Sequence, residues 1–281
     1  MIEFSYSEPD SLVELLEMLE ESGNTAALLA GGTDLVNHIR IGKRTPNKVI
    51  SLKSVRELNH EIAYCKDGIT IGALTTLAAI EKHSVVREMF PALAEAVNKI
   101  GSTQIRNKGT LVGNLCNASP AADAIPALLI YKAMIHIVSK KERRTVPVES
   151  FMKGPGKTDL QQGEIVESIF VPTPPVNSGS CYLKSSRRDG ADLTIVGAAA
   201  LVALSGEVRI GLGAVAPVPF RAHAAEKMVR DEQVNLDAAL DEAVKQANPI
   251  SDLRASREYR LAMIKTFTRK AIHICRERIQ K

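Results

Sequence analysis

Leu29-Ala30-Gly31-Gly32-Thr33-Asp34-Leu35-Val36 reads as the end of a short buried strand, a two-glycine turn and the start of a helix. Glycine accepts positive φ and lets the backbone come close to a ligand. Free N–H groups at such a turn converge on one point and attract an anion, most naturally a phosphate or pyrophosphate. Thr33 adds a hydroxyl. No Lys follows at the Walker position and Gly-x-Gly-x-x-Gly is absent, so neither common nucleotide fingerprint applies. Asp34 sits awkwardly beside an anion and reads better as a helix cap or a side chain turned away. A Gly-Gly turn also serves as a plain corner, and taken alone this stretch leaves both readings open.

Around it, residues 2–6 form a candidate strand. Pro9 and Asp10 open a helix with Leu12, Val13, Leu16 and Leu19 on one face, and Gly23 stops it. Residues 26–30 and 49–52 are further strands. The first 55 residues thus read as a small β-α-β-α-β unit. A larger mixed unit follows, with strands at 68–72, 134–139 and 165–171 and helices at 77–83 and 90–100. Pro172-Thr173-Pro174-Pro175-Val176-Asn177-Ser178-Gly179-Ser180 is the linker candidate. Beyond it, strand-like runs at 181–185, 195–204 and 208–215 precede a helical remainder. The expected class is α+β: a two-part domain over 1–171 (divided near residue 55), a linker at 172–180, and a C-terminal domain of antiparallel strands and helices over 181–281.

A second chemical signal lies in the turn-rich stretch that opens at Gly101 and closes at Asp123. Its latter part reads Thr110-Leu111-Val112-Gly113-Asn114-Leu115-Cys116-Asn117-Ala118-Ser119-Pro120-Ala121-Ala122-Asp123. Small and polar residues suit a backbone lying flat on a large ligand. Gly113 and Asn114 offer close N–H donors, Thr110 a hydroxyl, and Asp123 an acceptor for a ribose hydroxyl. An ordered loop ending in an Asp helix cap is the alternative.

Composition narrows the classes. Aromatics make up 4% and Trp is absent, which argues against a site built on aromatic stacking. Cys65, Cys116, Cys181 and Cys275 are scattered and form no Cys-x-x-Cys, which argues against a zinc ribbon or an iron–sulfur cluster held by this chain alone. The first 30 residues carry acids and no Lys or Arg, whereas 251–281 is rich in Arg and Lys. That basic tail reads as a solvated helix face or a subunit contact; nucleic-acid binding is the distant alternative. The longest apolar run, residues 193–204, is short of the roughly 20 residues that span a bilayer. The acidic, amphipathic start has no secretory pattern, and a cytoplasmic location is expected.

Together the two glycine-containing stretches resemble the FAD-binding medium subunit of the molybdenum hydroxylases, the group of xanthine, nicotinate and carbon monoxide dehydrogenases. The resemblance runs over nearly the whole chain. Ala30 to Asp34 stands where that family holds the FAD pyrophosphate, and Leu29, Leu35 and Val36 beside it are further expected cofactor contacts. Thr110 to Asp123 matches its second flavin segment, although Val112 replaces the first glycine of the usual pair, and Gly101 ahead of it is a further expected cofactor contact. Gly163-Glu164-Ile165-Val166 resembles the strand that places an aliphatic residue, here Val166, on the flavin. Lys184-Ser185-Ser186-Arg187-Arg188 resembles a segment whose Lys lies near the flavin. Ser251-Asp252-Leu253-Arg254-Ala255-Ser256-Arg257-Glu258-Tyr259-Arg260 resembles the C-terminal domain signature.

The resemblance implies FAD in this chain, with [2Fe–2S] clusters in a small partner subunit and the molybdenum cofactor in a large one. It implies electron transfer from a cluster through FAD to NAD or another acceptor, no metal and no catalytic acid–base residue here. His38, His83 and the Arg187-Arg188-Asp189 turn therefore need no catalytic role, and Cys116 reads as packing near the cofactor. The competing readings are an assembly subunit without FAD and a self-contained flavin reductase or oxidase.

Overall fold

The computed structural model describes residues 3–188, 190–230 and 235–279. Ile2 of the first expected strand, Asp189 of the Arg-Arg-Asp turn, residues 231–234 of the helical remainder and Lys281 of the basic tail lie outside these residues.

The first lobe runs β1 (Ser5–Ser7), α1 (Leu12–Ser22), β2 (Ala26–Leu29), α2 (Leu35–Arg40) and β3 (Lys48–Ser51). Its strands are parallel in the order β1-β3-β2. Ser11 caps α1 by accepting from the Glu14 N–H, and Gly23, at φ +54°, ends it. The buried face is Leu12, Leu15, Leu16 and Leu19, the i, i+3, i+4, i+7 stripe of a helix. Val13, expected on that face, is exposed because it stands about 100° round from Leu12.

The second lobe is wound around an antiparallel sheet. Its elements are β4 (Ile62–Cys65), β5 (Gly68–Gly72), α3 (Leu77–Lys82), α4 (Ser84–Met89), α5 (Pro91–Asn98), α6 (Thr103–Arg106), α7 (Leu111–Cys116), α8 (Ala124–Ile130), β6 (Met134–Val138), β7 (Arg143–Pro147), α9 (Val148–Phe151), β8 (Met152–Gly154), β9 (Lys157–Thr158) and β10 (Ile165–Pro172). The strand order is β4-β5-β10-β6-β7. The stretch expected as one long loop between Gly101 and Asp123 thus contains two short helices. Ser102 and Thr110 supply their N-caps, each accepting from a backbone N–H three residues on.

The C-terminal part carries β11 (Ser178–Ser185), β12 (Val196–Ala203), β13 (Val208–Gly213) and β14 (Phe220–Arg221) in one antiparallel sheet, then α10 (His223–Arg230), α11 (Leu236–Gln246) and α12 (Arg257–Ile279). Every residue of β12 is buried, because one face meets the second lobe and the other meets α12. The run Ala198-Ala199-Ala200 keeps both faces thin. Gly211 on β13 is needed for the same reason: a Cβ there would stand 2.5 Å from the Pro126 carbonyl of α8.

The signature segment at 251–260 now has a physical role. Arg260, 1% exposed, donates to the carbonyls of Ile195 and Ala214 and to Asp252 Oδ1, pinning α12 under the sheet. Much of the tail's charge is used inside the chain. Lys265 pairs with Asp241, Arg269 with Asp237, and Arg278 with Glu95 of α5. No helix among the described residues is long and apolar enough to cross a membrane.

Candidate functional site

A cleft of about 340 Å³ opens between the first and second lobes, in the size range of small-molecule sites. From the first lobe, Ala30, Gly31, Gly32, Thr33, Asp34 and Leu35 line it; from the second, Thr110, Gly113, Asn114 and Val166 do. These are the expected site residues that the fold brings together.

The first loop is shaped by close approach. A Cβ on Gly31 would fall 2.0 Å from the Lys108 carbonyl oxygen, so its glycine serves contact with the Lys108–Gly109 backbone of the second lobe. Gly32 turns the chain at φ +73°. Leu29 and Val36 do not line the cleft; their side chains close behind Gly32, within 2.9 and 3.2 Å of where its Cβ would stand. Among the described residues, the N–H groups of Gly31, Gly32, Thr33 and Asp34 find no hydrogen-bond partner. Unpaired donors at a turn suit an anion. Asp34 precedes α2, makes no capping bond and has an exposed side chain, so of the two readings the cap is absent and a side chain turned to solvent remains.

The second loop differs from expectation in its donors. The Gly113 N–H goes to Thr110 Oγ1 at 2.9 Å and the Asn114 N–H to the Thr110 carbonyl at 3.0 Å. Both are spent on α7, because a helix must satisfy the N–H groups of its first turn. What this helix offers instead is the Asn114 side chain: its Oδ1 is buried and unpartnered. A buried acceptor without a donor is costly unless a ligand supplies one. A cofactor rich in hydroxyl and N–H groups, held by its phosphates at residues 31–34, fits this donor and acceptor set.

Gly101, Asp123 and Lys184 are placed elsewhere. Gly101, at φ +54°, makes the turn into α6, and a Cβ there would meet Ile105 Cγ2 at 2.8 Å. Asp123 neither caps α8 nor lines the cleft. Its Oδ1 accepts from Tyr182 Oη (2.5 Å) and Thr194 Oγ1 (2.6 Å), and its Oδ2 from Lys184 Nζ (3.0 Å). Lys184 also donates to the carbonyls of Lys99 and Asp192. Asp123 and Lys184 thus form a buried pair at the junction with β11. Burial pushes the Asp123 carboxyl up from its ordinary range, while Lys184, Thr194 and Tyr182 pull it down. Burial and the adjacent Asp123 push Tyr182 well up.

Cys116, half-buried, lines the cleft, and burial lifts its thiol to about 12. His38 lies at the cleft wall, whereas His83 is not among the lining residues. The reading of the sequence missed Asn117, Leu160 and Arg44, which also line the cleft. Asn117 was findable, since it stands three residues from Asn114 on the same helical face. Leu160 and Arg44 reach the cleft only through tertiary packing.

Comparison with known proteins agrees with this geometry. Residues 2–174 match the family described as the FAD binding domain in molybdopterin dehydrogenase, and residues 181–274 match the CO dehydrogenase flavoprotein C-terminal domain. The chain is 35% identical over 277 residues to a xanthine dehydrogenase FAD-binding subunit of Escherichia coli O157:H7, covering 95% of this chain and 94% of that protein. It is 36% identical over 278 residues to a glyceraldehyde dehydrogenase medium chain of Sulfolobus acidocaldarius, covering 96% and 97%. It superimposes with a TM-score of 0.93, at 31% identity and 99% coverage of both chains, on a chain of the carbon monoxide dehydrogenase of Hydrogenophaga pseudoflava. A cleft with unpaired loop donors, two matching domains and relatives over the full length lead to one assignment: the chain belongs to the FAD-binding medium subunits of the molybdenum hydroxylases, oxidoreductase components built around a flavin.

Proposed function

We propose that this chain holds FAD in the interlobe cleft and relays electrons within a larger complex. The observation that carries the reading is the row of unpaired N–H groups at Gly31, Gly32, Thr33 and Asp34, on a loop that lines the same cleft as Asn114, whose buried Oδ1 has no partner. The first loop binds the pyrophosphate. Thr110 and Asn114 supply side-chain contacts from the second loop, and Val166 gives the ring an apolar wall. Asp123 and Lys184 act at one remove, fixing the start of α8 and the end of the second loop against β11.

When bound, FAD supplies reversible one- and two-electron chemistry; the protein supplies position, shielding from water and electrostatics. Single electrons come from a [2Fe–2S] cluster of a small partner subunit. They leave in pairs to NAD or another acceptor, and hydroxylation belongs to a large subunit with the molybdenum cofactor. The complex works in the cytoplasm.

Purification of the chain with its co-expressed neighbours tests this. A complex containing an iron–sulfur chain, which releases FAD on denaturation and whose flavin band bleaches on anaerobic addition of NADH, is the expected result. A complex that releases no FAD favours an assembly role. A yellow chain that purifies alone and turns over a substrate without partners favours a self-contained reductase.

A further inference from the structure

Between β9 and β10 the chain turns through residues 159–164 beside the cleft. Leu160 of this turn lines the cleft, and so do Ile165 and Val166 just after it. The turn also reaches the first lobe: a Cβ on Gly23, which ends α1, would meet Nε2 of Gln162 at 3.4 Å. Gly163, at φ +79°, permits the tight reversal.

One side chain of β7 ties this turn together. Arg144 Nε and Nη2 donate to the two oxygens of Glu164, each at 2.7 Å. Nη1 donates to Asp159 Oδ2 at 2.7 Å, and Nη2 also to the Asp159 carbonyl at 2.8 Å. Glu164 Oε2 accepts the Gln161 N–H as well, so the clamp extends to the backbone beside Leu160. The Glu164 side chain is 7% exposed, which sets this network apart from the surface ion pairs elsewhere on the chain. Arg144 holds the carboxyls of both Glu164 and Asp159 below the usual carboxylate range. A bidentate, charge-assisted fork is the strongest form of such a contact.

We propose that Arg144 is a positioning residue for the flavin site: by clamping Asp159 and Glu164 it sets the wall of Leu160, Ile165 and Val166 against the ring and keeps water from it. The proposal rests on the FAD reading above. Arg144 does not line the cleft and acts through the turn. Without its guanidinium, Glu164 loses its fork and Asp159 keeps only Lys153, at 3.1 Å, so nothing joins the two ends of the turn and the wall opens.

The test uses the full chain. FAD binding by the unaltered protein is measured first by calorimetry; no binding there would remove the FAD reading itself, separately from the clamp. Arg144→Met, Arg144→Lys and Leu160→Ala are then compared in FAD affinity and in the fine structure of the visible flavin band, which sharpens in a dry apolar site. Arg144→Met is expected to weaken binding about ten-fold, equal to about 1.4 kcal/mol, and to blur the band. Arg144→Lys keeps the charge and falls between, and Leu160→Ala blurs the band in the same way. Unchanged affinity and an unchanged band in Arg144→Met overturn the proposal. A loss of affinity with an unchanged band is an effect on stability alone and equally overturns it. If Arg144→Met does not fold, the Asp159→Asn/Glu164→Gln double variant removes the anions at constant size, and the same two readouts decide.

Discussion

Gly31 shows how one residue couples the two lobes. Its missing Cβ lets the first loop lie against the Lys108 carbonyl, and the same contact sets the unpaired N–H groups along the cleft. Gly31→Ala forces that backbone apart. Overpacking of this kind costs about 1–3 kcal/mol, so a lower melting temperature and loss of FAD binding are expected. Wild-type values for both would show that the contact is not needed. Lys184 is a second such residue. Lys184→Met leaves Asp123 buried without its cation, and breaking a buried pair from one side costs about 3–5 kcal/mol. Urea unfolding should register that loss; a change well below 1 kcal/mol would place Asp123 in contact with water. Neither partner could be matched from sequence. The pair spans 61 positions, and each residue alone looked like a ligand contact. Their types were legible, but their mutual satisfaction is a product of the fold.

At the scale of elements, strongly patterned segments were readable and edge segments were not. The leucine stripe and Gly23 made α1 readable, and the apolar β-branched run made β10 readable, whereas the Ser11 cap came only with the structure. β7 reads Arg143-Arg144-Thr145-Val146-Pro147, an exposed edge strand whose charges hide its period. β4 escaped notice for another reason: Ile62-Ala63-Tyr64-Cys65 is uncharged but mostly in solvent, so it shows no alternation. The loop before Asp123 was read as irregular because α6 and α7 are too short for a hydrophobic period, although Ser102 and Thr110 gave usable cap signals. Thr110→Val removes such a cap and should cost about 1 kcal/mol, together with FAD affinity; a thermal melt and a flavin titration check both.

The turn between β12 and β13 gives a pH dependence. Arg209, with burial opposing and Lys132 assisting, holds the Glu207 carboxyl at about 2, against an ordinary value of 4.5. A depressed folded value means this stability is fully present above 4.5 and is lost as pH falls toward 2. Melting temperatures followed through that window should fall less steeply in Glu207→Gln than in the wild type. Parallel curves would remove Glu207 from the acid response.

Across the whole molecule, the C-terminal sheet and α12 act as a brace. Arg260 ties α12 to the sheet, and Arg278 ties it to α5 of the flavin-binding part. With much of its charge paired inside the chain, the basic tail is not expected to retain nucleic acid at moderate salt, which a shift assay checks. The cleft lies between the two lobes, and FAD bound there should hold them together. Ligand at 100 times its dissociation constant adds about 2.7 kcal/mol to folding stability. The most direct measurement is therefore a titration of the purified full chain with FAD, followed by visible absorbance and by thermal melt in the same samples. One FAD per chain, a yellow species that survives gel filtration and a raised melting temperature are expected. A colourless chain whose melting temperature does not respond to FAD would contradict the assignment.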